Sequence, residues 1–215
     1  MFNKLSLIAV AGLLAAGACG ASQFPDPAVD DSLQAAKGKQ VAVLAGGCFW
    51  GVEAVFEHLK GVDNVVAGFA GGDRSTAHYE EVSTGTTGHA ESVQITYDPA
   101  KITYGQILKV YFSVAHDPTE LNRQGPDSGT QYRSSIFYAN DDQKRIAEAY
   151  IHQLNEAHVF RSTIATQVVP LKGFYAAEAY HQHYADLHPD NPYISTYDLP
   201  KVADLKKQYP QMCKR

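Results

Sequence analysis

The feature that most constrains this chain is a single junction. The apolar run Val41–Ala45 ends at Gly46-Gly47, and a helix-like run begins at Phe49. Strand character gives way to helical periodicity within a few residues: Val52, Val55, Phe56 and Leu59 recur on one face before Gly61 stops the helix. The two glycines let the backbone turn sharply and let another molecule approach it. Cys48 therefore stands at a helix N-terminus, followed by Phe49 and Trp50. Backbone N–H groups at such a terminus stabilise a thiolate, and the aromatics can wall a small apolar pocket beside it. A buried structural cysteine with two core aromatics would read the same locally.

The pattern continues downstream. Val62–Phe69 reads as a second strand, residues 73–90 as a long polar loop, and Ser92–Tyr97 as a third strand. Thr103-Tyr104-Gly105-Gln106 has capping-box spacing and opens a helix carrying Ile107, Leu108, Tyr111 and Val114. After a second polar loop, residues 116–131, come a strand over Ser134–Tyr138 and an amphipathic helix over Asp141–Ala157. Ile164–Val169 reads as a strand and Ala176–Leu187 as a last helix; the proline-rich remainder reads as irregular. The order β-α-β-β-α-β is that of an α+β fold with a ferredoxin-like split βαβ core, an α/β sandwich with an irregular C-terminal extension. At 215 residues and 45% hydrophobic, the chain suits one domain with appendages. That domain is expected over residues 41–199, with a tail over 200–215.

The N-terminal end reads differently. Residues 1–21 are expected to be a targeting segment: Lys4, the apolar stretch Leu5–Ala18, and small residues before Cys19. The stretch is short for a bilayer span. Cleavage near Cys19 fits either a secreted chain or a lipoprotein whose Cys19 carries the lipid. Either way the expected location is outside the cytoplasm, in a bacterial periplasm or anchored to the cell envelope. Residues 22–40, with Pro25, Pro27 and Gly38, read as a linker. With Cys19 set aside, Cys48 and Cys213 remain, as either a staple or a redox pair. A position near the fraying C-terminus favours the redox pair. The net charge of −5 argues against a nucleic-acid binder. No heptad pattern is left over, so a monomer is expected.

Three constellations could carry chemistry. Cys48 is the first. Glu91 ends the first polar loop, within Gly85-Thr86-Thr87-Gly88-His89-Ala90-Glu91. Among buried aromatics its carboxyl would be desolvated, its pKa raised, and its proton available as a general acid. The third is Gly125-Pro126-Asp127-Ser128-Gly129-Thr130-Gln131-Tyr132-Arg133-Ser134, which with Tyr79 could gather two phenols and a carboxyl around one oxygen atom. His89-Ala90-Glu91 has the form of a zinc-deaminase motif, but the chain holds no paired C-x-x-C. His181 and His183, two apart on the expected helix, would point away from each other, so no metal site is expected.

Together these stretches resemble peptide methionine sulfoxide reductase A. The resemblance is carried by Gly46-Gly47-Cys48-Phe49-Trp50-Gly51-Val52-Glu53, Tyr79-Glu80-Glu81-Val82, Thr87-Gly88-His89-Ala90-Glu91, His116-Asp117-Pro118-Thr119, Gly129-Thr130-Gln131-Tyr132-Arg133-Ser134, Ala177-Glu178-Ala179-Tyr180-His181-Gln182 and the Asn191-Pro192 region. It spans roughly residues 41–205. It implies reduction of the S epimer of methionine sulfoxide, free or in proteins, with Cys48 as nucleophile and Glu91 as proton donor. Tyr79 and Tyr132 would hold the sulfoxide oxygen with support from Asp127, and Phe49 and Trp50 would pack the S-methyl group. Cys213 would resolve the Cys48 sulfenic acid to a disulfide for an external thioredoxin-like protein to reduce, with no bound cofactor. Two other classes fit less of the chain. A papain-like cysteine hydrolase would need His181 or His183 as base, and a non-catalytic surface module would use Cys48–Cys213 as a structural bond.

Overall fold

The computed structural model describes residues 24–33 and 38–214, so the targeting segment expected over 1–21, with Cys19, lies outside the described residues. Strand β1 (Gln40–Gly46) leads through Gly47 and Cys48 into α1 (Phe49–Glu57), and β2 (Val62–Ala70) follows. A short helix α2 (Tyr79–Val82) sits in the first polar loop, before β3 (Ala90–Tyr97). Helix α3 (Tyr104–Val110) opens on the capping box expected at Thr103 and Gln106 and runs into a π-turn over Tyr111–Ala115. The second polar loop holds a two-stranded hairpin, β4 (Arg123–Gln124) and β5 (Asp127–Ser128). Then come β6 (Ser134–Tyr138), α4 (Asp141–Glu156) capped by Asn140, β7 (Gln167–Pro170) and β8 (Phe174–Ala176).

The main sheet has the order β7-β6-β1-β3-β2-β8. Its four central strands, β6-β1-β3-β2, are antiparallel throughout. Helix α1 carries the chain over from β1 to β2 and leaves a gap that β3 fills, which is the split βαβ arrangement. The added edges are β7, parallel to β6, and β8, antiparallel to β2. Alternation along β1 sends Ala42 and Leu44 to the helical side and Val43 and Ala45 to a smaller cluster on the other face. Both faces are therefore buried, which is why β1 reads as a continuous apolar run. Phe49, Phe56, Phe69, Leu59 and Ile95 form the heart of the large cluster. Each such side chain contributes about 1.5–3 kcal/mol of burial.

Three segments differ from their sequence-based expectation. No single helix spans 176–187. Instead, β8 pairs Ala176 with Gly68, a 3₁₀ turn covers Ala179–His181, and α5 (Tyr184–Leu187) starts after His183 at φ 54°. The Gln182 amide bonds both Ala67 N–H and Ala67 C=O and pins this segment to the edge of β2, a tertiary interaction that overrides helical propensity. Second, the C-terminal extension holds a π-turn over Ile194–Asp198 and then α6 (Leu199–Gln208). Pro200 lies in its first turn, where a missing N–H costs nothing. Third, residues 24–33 run along the helices as a strap. Tyr150 donates to Pro25 C=O at 2.6 Å, Lys109 pairs with Asp26 at 2.7 Å, and Asp30 accepts the Gly105 N–H at 2.8 Å.

Candidate active site

Cys48 is the N-cap residue of α1 and 8% exposed. The turn before it depends on Gly47, at φ 89°, where a side chain would be strained and would meet Gln124. A buried network holds this turn from beneath. Tyr111 donates to Ala45 C=O at 2.7 Å, and its oxygen lies 2.9 Å from Ser134 Oγ. Ser134 Oγ also meets His116 Nε2 and Thr166 Oγ1, each at 2.7 Å. Burial holds His116 well below the ordinary histidine value, at about 3, so its ring is neutral. The His116-Asp117-Pro118-Thr119 stretch thus contributes a support for the cysteine turn.

Glu91 lies on β3 opposite Phe69 and is 2% exposed. Its Oε2 accepts the Phe49 N–H at 3.0 Å, so the carboxyl is fixed one residue from the thiol. Burial, with lesser contributions from Asp127 and Asp198, pushes its pKa up to about 8 against that hydrogen bond. The carboxyl is protonated at neutral pH and can donate. Burial also pushes the Cys48 thiol well above its ordinary value, with the negative charges of Glu91 and Asp198 adding to it. The Trp50 N–H and the Lys201 ammonium oppose that rise.

Phe49 and Trp50 sit in an aromatic cluster built around His181. Trp50 stacks on Tyr184 at 4.0 Å between centroids, and its indole N–H donates to His181 Nδ1 at 3.3 Å. His181 also packs against Phe49 at 5.1 Å and Tyr79 at 4.3 Å. Tyr79 is pushed up to about 12 by burial and by the charges of Glu91 and Cys48, and its backbone N–H is held by Glu178 Oε1. Tyr132 is raised by burial, Glu91 and Asp127, and also feels Tyr79 and Cys48. Both phenols thus stay neutral donors around one centre. Asp127, expected to support them, takes its hydrogen bond from Tyr193 instead. Tyr193, Asp198 and Lys201 were missed in the sequence because they lie in a stretch read as irregular. Cys48, Asp127, Tyr193 and Lys201 share a small cleft of about 70 Å³. Asp198, fully buried, pairs with Lys201 at 3.2 Å. The Asn191-Pro192 region carried part of the resemblance, but no role was read for Tyr193 just after it.

Cys213 is not in the cleft. It pairs in a β-bridge with Leu59 at the far end of α1, flanked by Lys60 N–H to Met212 C=O and Lys214 N–H to His58 C=O, both at 2.8 Å. The nine residues of α1, rising about 1.5 Å each, put on the order of 14 Å of helix between it and Cys48. A disulfide needs α-carbons within about 7 Å. The two thiols are free in this structure. Cys213 can reach Cys48 only after residues 209–214 detach.

The histidines a hydrolase would need are occupied: His181 accepts from Trp50, and His183 pairs with Glu57. A helix-capping thiol beside a neutral carboxyl, in an aromatic cleft, defines a thiol oxidoreductase rather than an acyl-transfer enzyme. Comparisons with known proteins specify the kind. Residues 40–212 match the family model of peptide methionine sulfoxide reductase. A peptide methionine sulfoxide reductase of Mesorhizobium japonicum is 59% identical over 83% of this chain and 92% of its own length. One from Synechocystis is 50% identical over 86% of this chain and 88% of its own length. Among solved structures, methionine sulfoxide reductase A of Corynebacterium diphtheriae has a TM-score of 0.62 at 34% identity, covering 77% of this chain and 86% of that one. Reduced Mxr1 of Saccharomyces cerevisiae has a TM-score of 0.64 at 34% identity, covering 71% and 87%. The chain belongs to the peptide methionine sulfoxide reductase family, and its reaction is the reduction of methionine sulfoxide.

Proposed function

We propose that the chain reduces the S epimer of methionine sulfoxide, free and in proteins, through a Cys48 sulfenic acid. The observation that carries this reading is the convergence on one helix start of Cys48 and the protonated Glu91 carboxyl, joined through the Phe49 N–H. The Cys48 thiolate attacks the sulfoxide sulfur while Glu91 gives its proton to the oxygen. The oxygen passes to Cys48 as S–OH, and methionine leaves reduced. Tyr79 and Tyr132 donate to the same oxygen, and Phe49 and Trp50 pack the S-methyl group. Cys48 releases its own proton to solvent as it attacks, and the Glu91 carboxylate takes one back from solvent, so thiol and sulfoxide give sulfenic acid and thioether with no net change in charge.

Condensation of the sulfenic acid with the Cys213 thiol releases water and forms a disulfide. A thioredoxin-like dithiol reduces that bond by exchange. This route requires the Cys213 segment to leave its place against α1, breaking the bridge at Leu59, the Lys60 and Lys214 backbone bonds and the Tyr209 bond to Ser113. The leader-like residues 1–21 support action on exported proteins, outside the cytoplasm. The decisive experiment treats the reduced protein with methionine sulfoxide and a dimedone-type probe. A single adduct on Cys48 is expected. No adduct, with a persistent Cys48–Cys213 bond, would return the chain to the structural-module reading.

A further inference from the structure

Sulfoxide reduction by Cys48 and Glu91 leaves one buried titratable ring of the site without a step. His181 is 2% exposed and lies between the phenol and the aromatic wall that meet the substrate. Its ring centroid is 4.3 Å from that of Tyr79, 5.1 Å from Phe49 and 5.8 Å from Trp50. Its Nδ1 accepts the Trp50 indole N–H at 3.3 Å. We propose that His181 is a positioning residue for the reductase, its Nδ1 fixing the orientation of the Trp50 indole against the S-methyl group of the substrate. The proposal rests on the reading in which Trp50 packs that group.

Stacking alone does not fix the indole. Tyr184 lies against its face at 4.0 Å and 13°, which sets the plane of the ring. Offset stacks tolerate sliding and turning within that plane. A hydrogen bond at the ring edge is directional and sets the remaining angle. The acceptor is itself firmly held. The 3₁₀ turn over Ala179–His181 closes with the His181 N–H on Glu178 C=O at 2.9 Å. On one side Glu178 Oε1 accepts the Tyr79 N–H at 3.1 Å, and on the other the Gln182 amide bonds Ala67 and Ala177. Residues 178–182 thereby hold Tyr79 and Trp50 in one register against β2.

The chemistry of the ring points the same way. Accepting from the indole requires Nδ1 to be without a proton, so the neutral ring carries its proton on Nε2. Burial lowers the pKa of His181 and keeps that state, against the nearby charge of Glu178. Nε2 is buried and has no hydrogen-bond partner among the described residues. A phenyl ring would fill the same space without that cost, so packing does not account for an imidazole here. The Nδ1 bond to Trp50 does.

Trp50 is the single tryptophan of the chain, so its emission reports on this bond directly. The test compares the full chain, thiols reduced, with two variants. His181→Phe keeps a ring without an acceptor, and His181→Asn puts an amide oxygen near the place of Nδ1. Without substrate, His181→Phe should shift the emission maximum to shorter wavelength, and His181→Asn should return it toward the wild-type position. With methionine sulfoxide, KM should rise about 3–10-fold in His181→Phe, the worth of one lost hydrogen bond, while kcat stays within about 2-fold. The preference in kcat/KM for methionine sulfoxide over ethionine sulfoxide should fall, since a loosened wall admits the extra methylene. His181→Asn should restore both. Should His181→Phe fail to fold, His181→Gln, whose amide stands at the place of Nε2 rather than Nδ1, takes its part. Loss of the Cys48 dimedone adduct in the wild type overturns the Cys48 reading itself. With that adduct intact, an unchanged emission maximum or an unchanged KM and substrate preference in His181→Phe, or no recovery in His181→Asn, overturns this proposal alone.

Discussion

At the scale of single residues, the account turns on one carboxyl that is neutral at pH 7. Glu91→Gln should lower turnover by about 10²–10⁴, the usual contribution of a positioned general acid. Steady-state assays with a chemical dithiol measure this directly. The pH profile is a separate check. Because Glu91 ionises at about 8, kcat/KM should fall as pH rises through that value, and the Gln variant should lose that limb. Stability follows the same sign. Glu91 and Glu53 both have folded pKa values raised from 4.5 to about 8. Their contribution is fully present below about 4.5 and is lost as pH climbs through about 8. The thermal midpoint should therefore decline toward pH 9, and less steeply in Glu53→Gln. Cys48, Glu91, Phe49, Trp50, Tyr79 and Tyr132 were legible in the sequence because each lies in a motif that the family resemblance covers. The Tyr193–Asp127 bond was not, since it joins residues 66 apart across a hairpin whose geometry no local pattern encodes.

At the scale of elements, the β1–α1 turn is held from two sides. On one, Ser134 Oγ links Tyr111, His116 and Thr166. Ser134→Ala would leave these buried groups short of a partner and should cost about 1–3 kcal/mol, read by denaturant titration. On the other, α6 lies against the first turn of α1. A methyl at Gly51 would fall 2.1 Å from Asp198 Oδ1 and 2.9 Å from Lys201 Nζ. Gly51→Ala should therefore destabilise by about 1–3 kcal/mol despite improving helix propensity, since overpacking outweighs the propensity gain. A higher midpoint in that variant would mean that Asp198 and Lys201 do not close on α1. The strands and the two long helices were readable because their periodicities are clean. The segment 174–187 was not, because the Gln182 side chain and the pairing of β8 with β2, both set by distant residues, decide its conformation.

At the scale of the whole molecule, Cys48 and Cys213 are kept apart at opposite ends of α1. Cys213→Ser should complete about one turnover with a thioredoxin-like reductant and then stall, while a small thiol restores cycling. Rapid-quench counting of methionine formed per enzyme resolves the two cases. In the oxidised wild type, amides of residues 209–214 should exchange faster than in the reduced form, because the bonds to His58 and Lys60 must break. The α+β core was legible as a whole, since the order of strands and helices already implied a split βαβ sheet. The packing of residues 24–33 against α3 and α4 was not, as prolines and scattered polar residues look the same in a strap as in a linker. The most direct test of the central claim is to incubate the purified chain with racemic methionine sulfoxide and dithiothreitol and follow both epimers by chiral chromatography. The account predicts that the S epimer alone disappears, leaving about half the pool, and that Cys48→Ser consumes neither. Consumption of both epimers, or unchanged activity in Cys48→Ser, would contradict it.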